Sequence, residues 1–281
     1  MEREIFPLFR KLILYTCLVI GAISATFPFL WMMFSSFMTR GETIRRALIP
    51  EKIEWNNYAS AWNEAHFGLY FENSLVIAVI QVFGTLTFSL MAAYPLARMQ
   101  FRGRDTIFAI ILATLMIPET VTMVPNFLTI TWLHRNTSIL WLNNWPSLTV
   151  PFLTSAFSIF LLRQFMRGVP NDLWEAARID GAGHLRFLFR IILPLCRPPL
   201  LTVAMFTFIG SWNSLAWPLL VTNSSKWRPI SVGLQQFVSE AGAEIHLQMA
   251  GAVLATLPVL FVYFLIQKEF TEGISMSGLK G

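Results

Sequence analysis

Three groups of residues in this sequence have the chemistry to act on something outside the chain. The first is a lone carboxylate, Glu119, set in a long apolar stretch with Pro118 beside it and Pro125 one turn and a half further on. A carboxylate near the bilayer centre costs on the order of 3 kcal/mol, and the two prolines free backbone carbonyls that need a cavity or a neighbouring helix. Glu119 therefore either lines a solute path or sits near an outer interface and pairs with Arg135. The second group is Trp212 beside Asn213, an indole face able to stack on a sugar ring and an amide able to bond its hydroxyls. The competing reading has Trp212 packing between helices and Asn213 bonding a neighbour. The third is a polar loop at 170–184, PNDLWEAARIDGAGH, dense in charged and small residues.

Other chemistries find no support. His66, His134, His184 and His246 are scattered, so local spacing assembles no metal site. The two cysteines, Cys17 and Cys196, give no disulfide framework. A nucleophile facing a base is not evident, so no catalytic residue is assigned. Nor does the chain carry an ATP site: at 273–280 Leu279 separates Gly278 from Lys280, which breaks the phosphate-binding pattern.

The elements that must position these groups are membrane spans. The sequence is 55% hydrophobic and 13% charged, where a soluble domain carries roughly 25% charged residues. A net charge of +5 does not point to nucleic acid, because the basic residues lie between apolar runs and not along one stripe. A spanning helix needs about 20 apolar residues, and six stretches qualify: 12–37, 73–97, 106–131, 145–162, 199–222 and 245–267. The first runs from 12 to 39 without a charge, longer than a signal peptide's apolar region, and is read as a retained helix. The third is expected to kink or break at its prolines. With the N-terminus inside, 14 of the 21 Lys and Arg fall in inner segments, which puts both termini in the cytoplasm. The inner loop at 163–197 and the outer segment at 38–72 are then the places for soluble partners to dock.

Within the inner loop, Asp172 is placed to cap a helix whose acids, with Glu175, lie near the positive end of its dipole. Gly181 and Gly183 are placed to end it, and a second helical stretch at 185–192 follows before Pro194. Read from physics alone, this helix-turn-helix is either a linker in the lipid interface or a docking element.

The spacing Glu175-Ala176-Ala177, three residues, Gly181, nine residues, Ile191-x-Leu193-Pro194 resembles the EAA signature of permease subunits in binding-protein-dependent ABC importers. IFLLRQF at 159–165, SWNSLAWPL at 211–219, Leu257-Pro258 and the Gly278-Leu-Lys-Gly281 ending look like the carbohydrate-uptake branch, close to the maltose and glycerol-phosphate transporters. The resemblance implies an all-α, polytopic membrane protein of about six transmembrane helices with the type I ABC importer permease fold. It divides the chain into a first helix and outer loop at 1–70, a transmembrane core at 71–267 containing the loop at 163–197, and a polar tail at 268–281.

It also implies a function, a permease for a sugar or related small polar solute in the cytoplasmic membrane of a bacterium or archaeon. The loop helix would dock in a groove on a separate ATPase, making Glu175, Ala176, Ala177, Asp180 and Gly181 coupling residues. Small alanines suit close seating, Asp180 serves either a charge pair at the rim or a bond that closes the turn, and Gly181 permits the backbone reversal. The implied partners are a second, homologous permease in a heterodimer, two copies of the ATPase carrying ATP and Mg, and an extracytoplasmic solute-binding protein; this chain itself binds no cofactor. The alternative, an ATP-independent carrier or channel, would make Glu119 its ion site.

Overall fold

The structure, a computed structural model, describes residues 2–64, 66–239 and 242–277. Its α-helices, in chain order, are α1 Glu2–Ser36, α2 Arg40–Ile44, α3 Asn56–Glu64, α4 Phe67–Arg98, α5 Arg104–Thr114, α6 Glu119–Asn136, α7 Trp145–Thr149, α8 Ala156–Gly168 and α9 Asp172–Ile179. They continue as α10 His184–Phe187, α11 Leu193–Leu195, α12 Arg197–Trp212, α13 Ala216–Val221, α14 Ile230–Gln235 and α15 Ile245–Ser277. A two-residue β-ladder, Val238–Ser239 with Gly242–Ala243, is an addition to the all-α expectation.

Four helical stretches are long and apolar enough to cross a membrane, and two bent pairs raise the number to six. One bent pair is α5 with α6, which meet at 99°. The break falls at Pro118, as the prolines of the third apolar stretch lead one to expect. Two further breaks were not anticipated. The stretch at 145–162 is interrupted between the 3-10 turn Val150–Phe152 and α8, and the stretch at 199–222 between α12 and α13. At the other end of the chain α15 runs on to Ser277, so the segment read as a polar tail from 268 is helical there, while 278–281 lies outside the described residues.

The chain divides into two compact units. One holds the residues up to Gly68 together with Gly233–Leu257. In it, α1 presents exposed Leu, Ile, Val and Phe along its described length, as lipid contact requires. Thr39 and Glu42 form a reciprocal capping box on α2, and the buried Glu42 carboxylate also accepts from the Glu51 amide at 2.6 Å. These backbone donors, Thr39 first, hold the Glu42 carboxyl below the usual carboxylate range. Asn57 ties the segment down by donating to the Ser36 and Met38 carbonyls.

The other unit holds Leu69–Val232 and the chain from Pro258 onward. Its main core gathers Ala93, Leu162, Met166, Phe187, Ile192 and Val203, from α4, α8, the loop helices and α12. A second cluster packs Ile77, Ile130, Leu148, Trp217 and Val221. The break before α8 is stable because α4 supplies what the missing helical turns do not. Gln81 donates to the Leu148 carbonyl at 2.8 Å and Thr85 to the Phe152 carbonyl at 3.0 Å, while Trp217 donates to Ser147. Gly84 lies between those two donors, where a Cβ would come 2.4 Å from the Leu153 side chain and oblige that side chain to shift.

Candidate functional site

The loop helix α9 is defined at both ends by local chemistry. Asn171 occupies its N-cap without a side-chain bond, and Asp172 is the first helical residue, so the cap expected from Asp172 does not form. Asp172 and Glu175 still place negative charge at the positive end of the helix. At the other end the Gly181 amide donates to the Arg178 carbonyl at 3.0 Å and the Ala182 amide to the Ala177 carbonyl at 2.8 Å, a Schellman closure. Gly181 has φ +73°, the left-handed region that glycine occupies without the Cβ penalty. The backbone alone closes this turn, and the exposed Asp180 side chain takes no part in it.

One face of α9 is held against its own chain. Trp174 stacks on His184 with ring centroids 4.4 Å apart, and His184 Nδ1 lies 2.9 Å from the Tyr94 hydroxyl on α4. Trp174 also meets Phe187 edge-on. Arg98, the last residue of α4, donates to the Val169 carbonyl at 2.8 Å and lies over the Phe187 ring. Behind this layer Arg163, 3% exposed, donates to the Leu96 carbonyl and to Asp105 and sits 3.7 Å above the Phe108 ring. Glu175, Ala176, Arg178 and Asp180 are exposed, and Glu175 and Arg178 line a groove that they share with Trp174, His184 and Arg98.

One of the coupling residues implied by the resemblance lies on the inner side of this division. Ala177 is buried in the core of its own chain, and its small side chain serves the seating of α9 on that core, leaving Ala176 as the alanine on the open face. Glu175 and Asp180 form no ion pair among the described residues.

The second region lies where the broken spans meet. Glu119 is exposed and makes no ion pair among the described residues, so the pairing with Arg135 is not formed. It stands where two clefts adjoin, of about 260 and 300 Å³, which also share Phe152, Gly210 and Ser214. The first is walled by α4, α8 and α12, the second by α6 and the start of α13. Asn213 is exposed at the end of α12, next to the shared Ser214. Trp212 belongs elsewhere: it is buried between Phe71 and Phe208, the packing alternative foreseen for it, and lines neither cleft.

The sequence reading missed Gln81 and Thr85, which line the first cleft and hold its floor. Their signal was a polar stripe, Gln81, Thr85 and Ser89, at every fourth residue of an otherwise apolar helix.

The family described as "Binding-protein-dependent transport system inner membrane component" matches residues 85–275. Similar proteins include the diacetylchitobiose uptake system permease of Streptomyces coelicolor, 34% identical over 93% of this chain and 86% of that protein. The arabinooligosaccharides transport system permease of Bacillus subtilis is 32% identical over 91% and 90%, and the sn-glycerol-3-phosphate transport system permease of Yersinia enterocolitica 33% over 92% and 94%. Among solved structures, a chain of a bacterial ABC transporter involved in import of the acidic polysaccharide alginate superposes with a TM-score of 0.83 at 25% identity, covering 93% of this chain and 96% of that one. With the matched segment spanning most of the chain, from within α4 into α15, this protein belongs to the family of binding-protein-dependent transport system inner membrane components and is a permease of the ABC importer kind.

Proposed function

We propose that this permease takes up the motion of a separate ATPase through the open face of α9 and converts it into alternating access for a sugar or related small polar solute. The importer would comprise a second, different permease, two ATPase copies binding ATP and Mg, and a soluble solute-binding protein on the far side. A sugar-like solute accords with the relatives named for diacetylchitobiose, arabinooligosaccharides and glycerol 3-phosphate. The excess of Lys and Arg in alternate loops supports a cytoplasmic position for α9 and for both termini in a bacterial or archaeal membrane.

The observation that carries the reading is the two-faced construction of α9. Its inner face is locked to α4 through Trp174, His184 and Tyr94, while Glu175, Ala176, Arg178 and Asp180 face outward. A push delivered to the outer face is then passed to α4, whose Gln81 and Thr85 hold the floor of the cleft beside Glu119. Glu119 and Asn213 belong to the solute path in this scheme. An ATP-independent carrier has no use for an exposed, rigidly mounted acidic helix.

The test is coexpression of this chain with a second permease, the ATPase and the binding protein from one genomic neighbourhood. Uptake and ATP turnover should both rise with solute-loaded binding protein. Glu175→Lys should leave membrane insertion intact and lower copurified ATPase and uptake by about tenfold or more, since like charge at a docking face costs several kcal/mol. Normal uptake by that variant would remove Glu175 from the coupling face.

A further inference from the structure

We infer that the paired clefts of this chain form a solute subsite for a neutral, hydroxyl-rich molecule, with Glu119 acting as a charge filter that rejects phosphorylated or uronate-bearing solutes. The inference rests on the importer reading and deepens it.

Three observations carry it. First, among the described residues the lining has one charged group: Glu119 stands where the clefts meet, and no described Lys, Arg or His lines either of them. An exposed cleft carboxylate accepts hydrogen bonds from sugar hydroxyls, and it repels an anion brought within a few ångströms. Second, the lining holds polar atoms the chain itself leaves unused. Ser211, 7% exposed, lines the first cleft, and its Oγ has no hydrogen-bond partner among the described residues. Gln81 donates its amide NH₂ to Leu148, leaving its oxygen without a partner among the described residues. Polar groups are ordinarily satisfied, so a cleft-lining amide oxygen left over in this way offers a place for another molecule's hydroxyl. Third, Phe152 lies between the two clefts and meets Trp217 edge-on at 5.8 Å, a rigid aromatic wall of the kind against which the apolar face of a pyranose packs. The two volumes, each near the size of one sugar ring, suit a solute of two linked rings with Glu119 at the junction.

The test uses the intact permease–ATPase complex in nanodiscs, without the binding protein, so that solute held by the permeases is read directly. Equilibrium dialysis with radiolabelled N,N′-diacetylchitobiose and arabinotriose as neutral probes and glycerol 3-phosphate as the anionic one should show saturable binding of a neutral probe. Glu119→Gln should weaken that binding about tenfold, the loss of a charged acceptor. The same change should strengthen glycerol 3-phosphate binding, by up to about three hundredfold for a charge pair some 5 Å apart at an effective dielectric of 20. Opposite signs separate a charge filter from simple damage to the fold. Ser211→Ala supplies the second variant, with thermal stability equal or higher and neutral binding weaker by about fivefold. Absence of saturable neutral binding, or changes of the same sign or none for the two probe classes in Glu119→Gln, would overturn the inference. If the wild-type complex still hydrolyses ATP in response to solute-loaded binding protein, the importer reading stands; if no ATPase stays bound, that reading fails on its own account.

Discussion

At the α9 end, the polar side chains that reach the core are partnered within the chain. Arg163 serves Leu96, Asp105 and the Phe108 ring, Arg98 serves Val169, and Tyr94 meets His184. In the Glu119 cleft Ser211 Oγ has no partner, and Glu119 has no counter-ion among the described residues. Both regions lie in one compact unit and share α4. They differ in what completes them. A satisfied network resists deformation and so passes a displacement on, whereas an unsatisfied one is finished only by an arriving molecule.

The comparison can be broken most forcefully at Arg163. Arg163→Met keeps the apolar stem but abandons the Leu96 carbonyl and Asp105, and should cost about 2 to 3 kcal/mol, the worth of hydrogen bonds to a charged group. The check is the thermal midpoint of the purified complex, and an unchanged midpoint would mean the α9 end is not held by this network. Tyr94→Phe is a finer probe. Losing one hydrogen bond of about 1 kcal/mol should lower the midpoint only slightly, yet it loosens the joint between α4 and α9. ATP consumed per solute transported should rise while ATPase docking stays normal; an unaltered ratio would strip the joint of its role in transmission.

The smallest effect is expected at Glu42, which lies in the other unit and serves as a control. Its carboxyl is depressed in the folded chain, so the stability it contributes is complete above the unfolded carboxylate value, near 4.5, and is lost as pH falls through the lower folded value. Melting curves from neutral to acid pH should show this loss in the wild type and less of it in Glu42→Gln. Uptake at neutral pH should be the same for both.

Much of this architecture was legible in the sequence. The bend at Pro118 followed from a residue that cannot continue a helix, and the α9 element with its Gly181 reversal followed from residues adjacent in the chain. The breaks before α8 and after α12 were hidden because hydropathy is blind to them: the apolar run continues while the backbone turns aside. What makes the first break tolerable is Gln81 and Thr85, each 67 residues from the carbonyl it satisfies. The burial of Ala177 was hidden for a related reason. Ala176 and Ala177 are chemically identical, and which faces inward depends on where Trp174 finds His184. Trp212 likewise announced an aromatic face but not its neighbours, Phe71 and Phe208.

The bareness of α1 has a bearing on biogenesis. No residue in its apolar window is buried by the rest of the chain, and its backbone hydrogen bonds are internal, so it is competent to enter lipid as soon as the ribosome has released it. The span from α7 to α8 is not, because until α4 is alongside, the carbonyls of Leu148 and Phe152 have nothing to accept from. The order of synthesis delivers α4 first. Translation thus hands this broken span its two α4 donors before the span needs them, and the membrane does not have to hold the Leu148 and Phe152 carbonyls unsatisfied while the chain is still being made.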